Sequence, residues 1–306
     1  MNILFQQINN SNNTLSWYTW TDELKIKLSS IAEELSSINT EIINLLPNDT
    51  YGASYKCKNK TLTKKTKDAV KFISNNLIKL EPKNGIFLFK NLIFENFSSK
   101  SLHVLFSLIS EELRRTKKMK ALHSPIVENI IDEGFPVHAD LFETKTLFNV
   151  ITSIEKNKHG EILLLSIEDL EKAMQSVPKL PINTKDKILD ILRNKNGVDL
   201  FDNIFYLMYG DHPWSNDLKR EIEKRQLWLT PEEGIGYLVI DGQWLHGRNK
   251  YLGEIKENRL NRLLFDTNTT KNITEIKYKY SNLETSCETF MKSKKSKSIK
   301  SKSLSL

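Results

Sequence analysis

Three side chains in this sequence have the types and the setting to hold a divalent metal. His138 and Asp140 lie in the stretch Phe135-Pro136-Val137-His138-Ala139-Asp140-Leu141-Phe142, between bulky apolar neighbours. In an extended segment residues two apart point to the same face, so the imidazole and the carboxylate project together while Val137 and Ala139 project the other way. Two ligands make a poor site. A third is available in Trp244-Leu245-His246-Gly247-Arg248, 108 residues after His138. Two histidines and one carboxylate form the facial arrangement that binds iron(II) on one side and leaves the opposite positions open for a cosubstrate and dioxygen.

Rigid strands must aim these groups. The sequence predicts strands at 147–154 and 162–165, and another at 235–240 in front of Asp241-Gly242, a hairpin signal that makes residues 244–246 the return strand carrying His246. Residues 121–134 read as irregular chain leading to the His138 strand. Between the two halves of the site, Ser166-Ile167-Glu168-Asp169 is a capping box before a helix at 169–177, and residues 185–193 are helical. Residues 200–209 are apolar and aromatic enough for a strand, with helix as the alternative, and residues 217–225 are a charged segment. His212 is a ligand by residue type alone. Beside Pro213 in a turn, it reads as an exposed hydrogen-bonding group.

Ahead of the site, apolar residues in steps of three and four predict one helix over 21–46, capped by Thr21 and stopped by Pro47. Residues 51–67 read as a polar, Lys-rich loop, 68–80 as a second helix, 86–89 as a strand buried on both faces, and 101–118 as a helix. His103, alone in that last helix, is read as structural.

The net charge of +7 looks like a signal for an acidic partner until it is located. Lys292, Lys294, Lys295, Lys297, Lys300 and Lys302 supply six of it, leaving +1 (7 minus 6) on the rest. A nucleic-acid-binding surface needs basic residues clustered on the folded body, so none is expected there. Cys57 and Cys287 are too few for a disulfide framework, and no run of 18 apolar residues is present. A cytoplasmic chain with no membrane span is the expectation, with residues 267–306 a polar, Lys/Ser-rich, disordered tail.

Taken together, the motifs resemble the iron(II)- and 2-oxoglutarate-dependent oxygenases of the taurine dioxygenase and clavaminate synthase-like family. The resemblance spans residues 85–266 and is carried by residues 85–92, the His-x-Asp strand, residues 160–166, and residues 236–248 with their distal His-Gly-Arg. It implies a mixed α and β fold with a double-stranded β-helix (jelly roll) core, residues 1–84 being a helical region packed on that core and residues 166–225 a helical insertion. It also implies iron(II) on His138, Asp140 and His246, with 2-oxoglutarate and dioxygen as cosubstrates.

An arginine after the distal histidine would pair with the far carboxylate of 2-oxoglutarate. Arg259 and Arg262, 13 and 16 residues after His246, both qualify. The family often sets a threonine beside that carboxylate, and Ile162 stands there instead. Sulfonate-binding members carry a second arginine four residues after the first, where this chain has Leu263 or Asp266, which argues against a sulfonate; with Arg262 as the cosubstrate residue, the Asp266 carboxylate argues for an amine-bearing group. The function implied is hydroxylation of a C–H bond in a small metabolite, an amino acid or its derivative. The competing reading is a non-catalytic jelly-roll binding protein with a degenerate metal site, and a third is a zinc hydrolase.

Overall fold

The computed structural model describes residues 3–8, 16–44, 53–58, 61–124, 134–140, 146–152, 158–194, 200–253 and 260–265. The strands are β1 (Phe5–Ile8), β2 (Trp17–Trp20), β3 (Thr40–Asn44), β4 (Ala53–Cys57), β5 (Ile86–Phe89), β6 (Ala121–Ser124), β7 (Phe135–His138), β8 (Thr146–Ile151), β9 (Ile162–Ser166), β10 (Leu227–Leu229), β11 (Gly236–Ile240), β12 (Trp244–Arg248) and β13 (Leu260–Phe265). The helices are α1 (Asp22–Ser29), α2 (Ala32–Ser37), α3 (Lys64–Leu77), α4 (Ser99–Lys117), α5 (Ile167–Gln175), α6 (Ile182–Asn194), α7 (Leu200–Tyr209) and α8 (Ser215–Glu223).

Two sheets carry the site. The larger has the order β1-β2-β5-β11-β8-β13-β6 and the smaller the order β10-β9-β12-β7, while β3 and β4 form a separate hairpin. All pairings are antiparallel except β2 with β5. From β6 onward the chain changes sheet at almost every strand: β6, β8, β11 and β13 belong to the larger sheet, β7, β9, β10 and β12 to the smaller.

Period-two alternation sorts the side chains into layers. Leu147, Ile151, Tyr237, Val239 and Leu264 of the larger sheet meet Ile162, Leu164 and Leu229 of the smaller in one shared core. On the far side of the larger sheet, Phe148, Val150, Leu238, Leu263 and Phe265 pack under α1 to α4. On the far side of the smaller sheet, Val137, Leu163, Leu165 and Leu245 pack under α5 to α8. Each such buried side chain is worth about 1.5–3 kcal/mol relative to exposure, so both sheets are anchored from behind.

Several expectations hold. Residues 86–89 are buried on both faces, Thr21 caps α1 by accepting the Leu24 N–H, and Ser166 caps α5 by accepting from Asp169 N. Others need correction. The single helix over 21–46 is two short helices followed by β3, because the run Thr40-Glu41-Ile42-Ile43 is rich in β-branched residues and pairs with β4. The Lys-rich loop at 51–67 contains β4 and the first turn of α3, and the irregular stretch from 121 begins as β6. Residues 200–209 are a helix, not a strand; their apolar face joins Ile204 and Met208 to the helical layer. The region before Gly85 therefore holds strands as well as helices, and two of those strands extend the larger sheet.

The Asp241-Gly242 turn is the most consequential correction. It does not join partners in one sheet. β11 pairs with β5 and β8, whereas β12 pairs with β7 and β9, so the turn carries the chain from one sheet to the other. Gly242 takes a φ of 86° there, which a residue with a Cβ rarely adopts.

Candidate metal centre

β7 and β12 are neighbours, and His246 lies directly opposite His138 in their register. Both imidazoles therefore project from the same face of the smaller sheet, their ring centroids 4.5 Å apart. The glycine of His-Gly-Arg explains how the strands come this close: a Cβ on Gly247 would stand 2.6 Å from the Phe135 carbonyl oxygen. The register shifts just beyond His246, opposite Pro136, which has no N–H to give to a ladder. The freed Pro136 carbonyl accepts a hydrogen bond from His138 Nδ1 at 2.9 Å. That bond fixes the proton on Nδ1 and leaves the Nε2 lone pair facing inward, the tautomer a metal ligand needs.

Asp140 completes the cluster. Its Oδ1 lies 3.4 Å from His138 Nε2 and its Oδ2 3.5 Å from His246 Nε2. The candidate ligand atoms of the three residues all fall within 4.8 Å of one another. Ligands about 2.1 Å from a shared metal stand roughly 3.0–3.4 Å apart, so the set is close to what a cation requires. His246 Nδ1 is buried with no hydrogen-bond partner among the described residues. Burial, and then the charge of neighbouring His246, lowers the affinity of His138 for a proton, so its imidazole favours the neutral form. Burial pushes the Asp140 carboxyl up, but neighbouring His246 and the Arg262 guanidinium outweigh this and hold it well below the usual carboxylate range. A carboxylate facing two imidazoles is a donor set that fits a divalent cation.

The shell around the triad comes from both sheets and the helical layer. Asp241, in the turn between β11 and β12, accepts the Asp140 backbone N–H at 3.2 Å. Tyr209 of α7 donates its hydroxyl to the Val137 carbonyl at 2.8 Å, bracing β7 from behind. From β13, Arg262 donates through Nη1 to Asp140 Oδ2 at 3.2 Å and through Nη2 to Ser124 Oγ of β6 at 3.1 Å.

Arg262 is part of a row. Tyr237, Asn149, Arg262 and Ser124 are successive register partners across β11, β8, β13 and β6. Asn149 Nδ2 donates to the Tyr237 hydroxyl at 3.0 Å. Burial pushes the Tyr237 phenol up, so it stays protonated.

Of the residues singled out in the sequence, the structure thus brings together His138, Asp140, His246 and Arg262. Arg259 and Asp266 lie outside the described residues. Ile162 is buried in the core between the sheets, with no hydrogen-bonding group to offer. His103 is held by Thr40 and Asn261, and His212 bonds the Tyr206 carbonyl at the surface, both away from the triad. Sequence reasoning did not find Ser124, Asn149, Tyr237, Asp241 or Tyr209. A signal existed for Asn149, the one amide in an otherwise apolar strand, Leu147-Phe148-Asn149-Val150-Ile151. Asp241 was visible only as a turn residue.

No family model and no curated protein matches the chain. Among solved structures, the fold is similar to that of an asparagine oxygenase in complex with Fe(II), 2S,3S-3-hydroxyasparagine and succinate, at 10% identity and a TM-score of 0.42, covering 81% of this chain and 92% of that one. It is also similar to the non-heme iron oxygenase OrfP in complex with iron and alpha-ketoglutaric acid, at 10% identity and a TM-score of 0.42, covering 83% and 94%. These likenesses are faint in sequence and partial in shape, and the assignment of the centre rests on its own geometry.

Proposed function

We propose that the chain is an iron(II)- and 2-oxoglutarate-dependent dioxygenase that hydroxylates a C–H bond of a small metabolite, an amino acid or an amino-acid derivative. The observation that carries this reading is the convergence of His138, Asp140 and His246 on one point inside the two sheets, facing the Arg262 guanidinium. The alternation of β6 to β13 between the sheets supports a double-stranded β-helix as the frame. No helix among the described residues is long and apolar enough to cross a membrane.

Charge complementarity supports the cosubstrate. With both imidazoles neutral, as ligation requires, Asp140 contributes −1, Arg262 +1 and a divalent metal +2, which leaves +2 for a dianionic keto diacid to neutralise. Once a cation shares the Asp140 charge, the Arg262 guanidinium is released to pair bidentately with a ligand carboxylate, which lysine could not do. Arg259 is kept as the alternative carboxylate partner. When bound, iron(II) and 2-oxoglutarate would supply the oxidising chemistry: dioxygen gives one oxygen atom to the substrate C–H bond and one to succinate, with carbon dioxide released. The contribution of this chain is to orient the ligands through Pro136, Asp241 and Tyr209 and to keep water out with the apolar core around them.

The test is to supply iron(II), ascorbate and 2-oxoglutarate and to screen the twenty amino acids and simple amines and sulfonates for stimulated succinate release. Succinate above a His138→Ala control, with a product heavier by one oxygen, is the expected result. Iron(II) binding without turnover for any candidate, and without the visible charge-transfer band that 2-oxoglutarate produces anaerobically, would favour a non-catalytic binding protein instead.

A further inference from the structure

The row across the larger sheet contains a side chain with an unused hydrogen-bonding group. Asn149 is 9% exposed, and its Oδ1 is buried with no partner among the described residues. A buried amide group left unpaired costs free energy, so its retention inside an otherwise apolar strand calls for a ligand. Its neighbours say what kind. On one side Asn149 bonds Tyr237, and on the other it is the direct register partner of Arg262. Cross-strand partners set their Cβ atoms about 4.5–5.5 Å apart, so a carboxylate paired with Arg262 comes within reach of the Asn149 amide.

The amide can present either end at no cost to the Tyr237 contact. The phenol hydroxyl accepts from Nδ2 in the arrangement observed, and after a half turn of the amide it donates to Oδ1. The half turn places Nδ2 where Oδ1 now stands, with an N–H directed into the interior. A carboxylate selects that orientation. On the opposing sheet, Ile162 offers no donor.

Building on the dioxygenase reading, we propose that Asn149, held by Tyr237, is the second donor to the far carboxylate of 2-oxoglutarate, beside Arg262. The larger sheet thereby supplies the donor that the Ile162 position lacks. Ser124, on the other flank of Arg262, fixes the guanidinium plane through its 3.1 Å bond to Nη2.

The test compares two keto acids that bind metal through the same end and differ at the other. 2-Oxoglutarate has the far carboxylate; 2-oxobutyrate does not. Each is titrated anaerobically into the iron(II) protein, and the visible charge-transfer band is read without turnover. Asn149→Leu should weaken 2-oxoglutarate about tenfold or more, as the loss of a hydrogen bond to a charged group implies, and leave 2-oxobutyrate unchanged. Asn149→Asp, of the same size, should weaken 2-oxoglutarate further still, because it sets one carboxylate against another. Tyr237→Phe should give the smallest loss, since it frees the amide without removing it. Equal weakening of both keto acids by Asn149→Leu, or 2-oxoglutarate binding as tight in Asn149→Asp as in the wild type, overturns the assignment of Asn149 alone. A wild-type protein that binds iron(II) but neither keto acid overturns the dioxygenase reading and this proposal with it.

Discussion

Two pairs of buried histidines meet ring against ring in this protein, one tilted and one edge-on, and they are built to opposite ends. His138 and His246 face each other across the smaller sheet with ring centroids 4.5 Å apart. His103 of α4 and His123 of β6 meet behind the larger sheet at 4.6 Å. Around the second pair every ring nitrogen has a partner. Asn261 Oδ1 lies 2.6 Å from His103 Nδ1 and 2.8 Å from His123 Nε2, Thr40 Oγ1 lies 2.9 Å from His103 Nε2, and Ser107 Oγ lies 2.7 Å from His123 Nδ1. One proton arrangement satisfies all four contacts: each imidazole donates to the Asn261 oxygen and accepts from a hydroxyl. Asn261 Nδ2 then donates to Thr152 Oγ1 at 3.0 Å, and the Tyr55 ring packs on both histidines.

The first pair instead faces a carboxylate and leaves His246 Nδ1 unpartnered. Saturation marks the outer pair as structural, and the inner pair's shared approach to the buried Asp140 carboxylate marks it as a place for a ligand. The two are physically linked, because neighbouring residues of one strand point to opposite faces. Asn261 and His123 secure the back of β13 and β6, whose front carries Arg262 and Ser124.

The largest difference between the pairs should appear in metal binding. His138→Ala, Asp140→Ala and His246→Ala are each expected to weaken iron(II) at least 100-fold, about 2.7 kcal/mol, while the metal-free melting temperature stays within a few degrees of wild type. His103→Ala and His123→Ala should leave the iron(II) affinity of the folded protein unaltered. Titration of each folded variant with iron(II) decides it. Wild-type affinity in a triad variant would break the comparison.

The chemistry of the inner pair was legible because it is local: His-x-Asp needs only strand spacing, and His246 sits in an apolar strand beyond a turn signal. What surrounds it was not legible in the same way. Tyr237, Asn149, Arg262 and Ser124 become a row only through the register of four strands far apart in the chain. The Asp241-Gly242 turn has the residues of a tight hairpin, but those residues specify a backbone bend and not which sheet the next strand enters. At 200–209, apolar and aromatic residues suit strand and helix alike, and the decision fell to the packing of Ile204 and Met208 among α5, α6 and α8. His103 was read as structural on base expectation, and the network through Asn261 supplies the physical reason.

A second prediction sharpens the comparison from the outer side. Asn261→Leu removes the shared acceptor and strands buried N–H groups of both His103 and His123. Each unsatisfied buried group costs about 1–3 kcal/mol, so a loss of roughly 2–5 kcal/mol is expected in chemical denaturation. Ser107→Ala removes one contact and should cost less. Iron(II) affinity of the folded Asn261→Leu protein should change by no more than about threefold, since the variant leaves all three ligands in place. Stability unchanged in Asn261→Leu would mean the network is not what holds β13 to α4.

The smallest effect is in pH. Burial lowers the proton affinity of His123 well below that of a free histidine, helped by the charge of neighbouring His103, and burial likewise lowers His103. The folded protein therefore keeps both rings neutral at pH values where the unfolded chain, with histidines near 6.5, takes up protons. Below about pH 6.5 the unfolded state binds more protons than the folded one, so stability rises with pH through that window and is lost on acidification, by up to about 1.4 kcal/mol per pH unit for each such histidine. Replacing His123 with Phe should flatten this dependence in denaturant melts of the metal-free protein between pH 7.5 and 5.5, whatever it does to stability at neutral pH. Burial lowers the proton affinity of His138 as well, so the decisive quantity is the difference between wild type and His123→Phe, both metal-free. An acid sensitivity identical in the two proteins would remove His123 as its source and leave the proton uptake to His103 and His138.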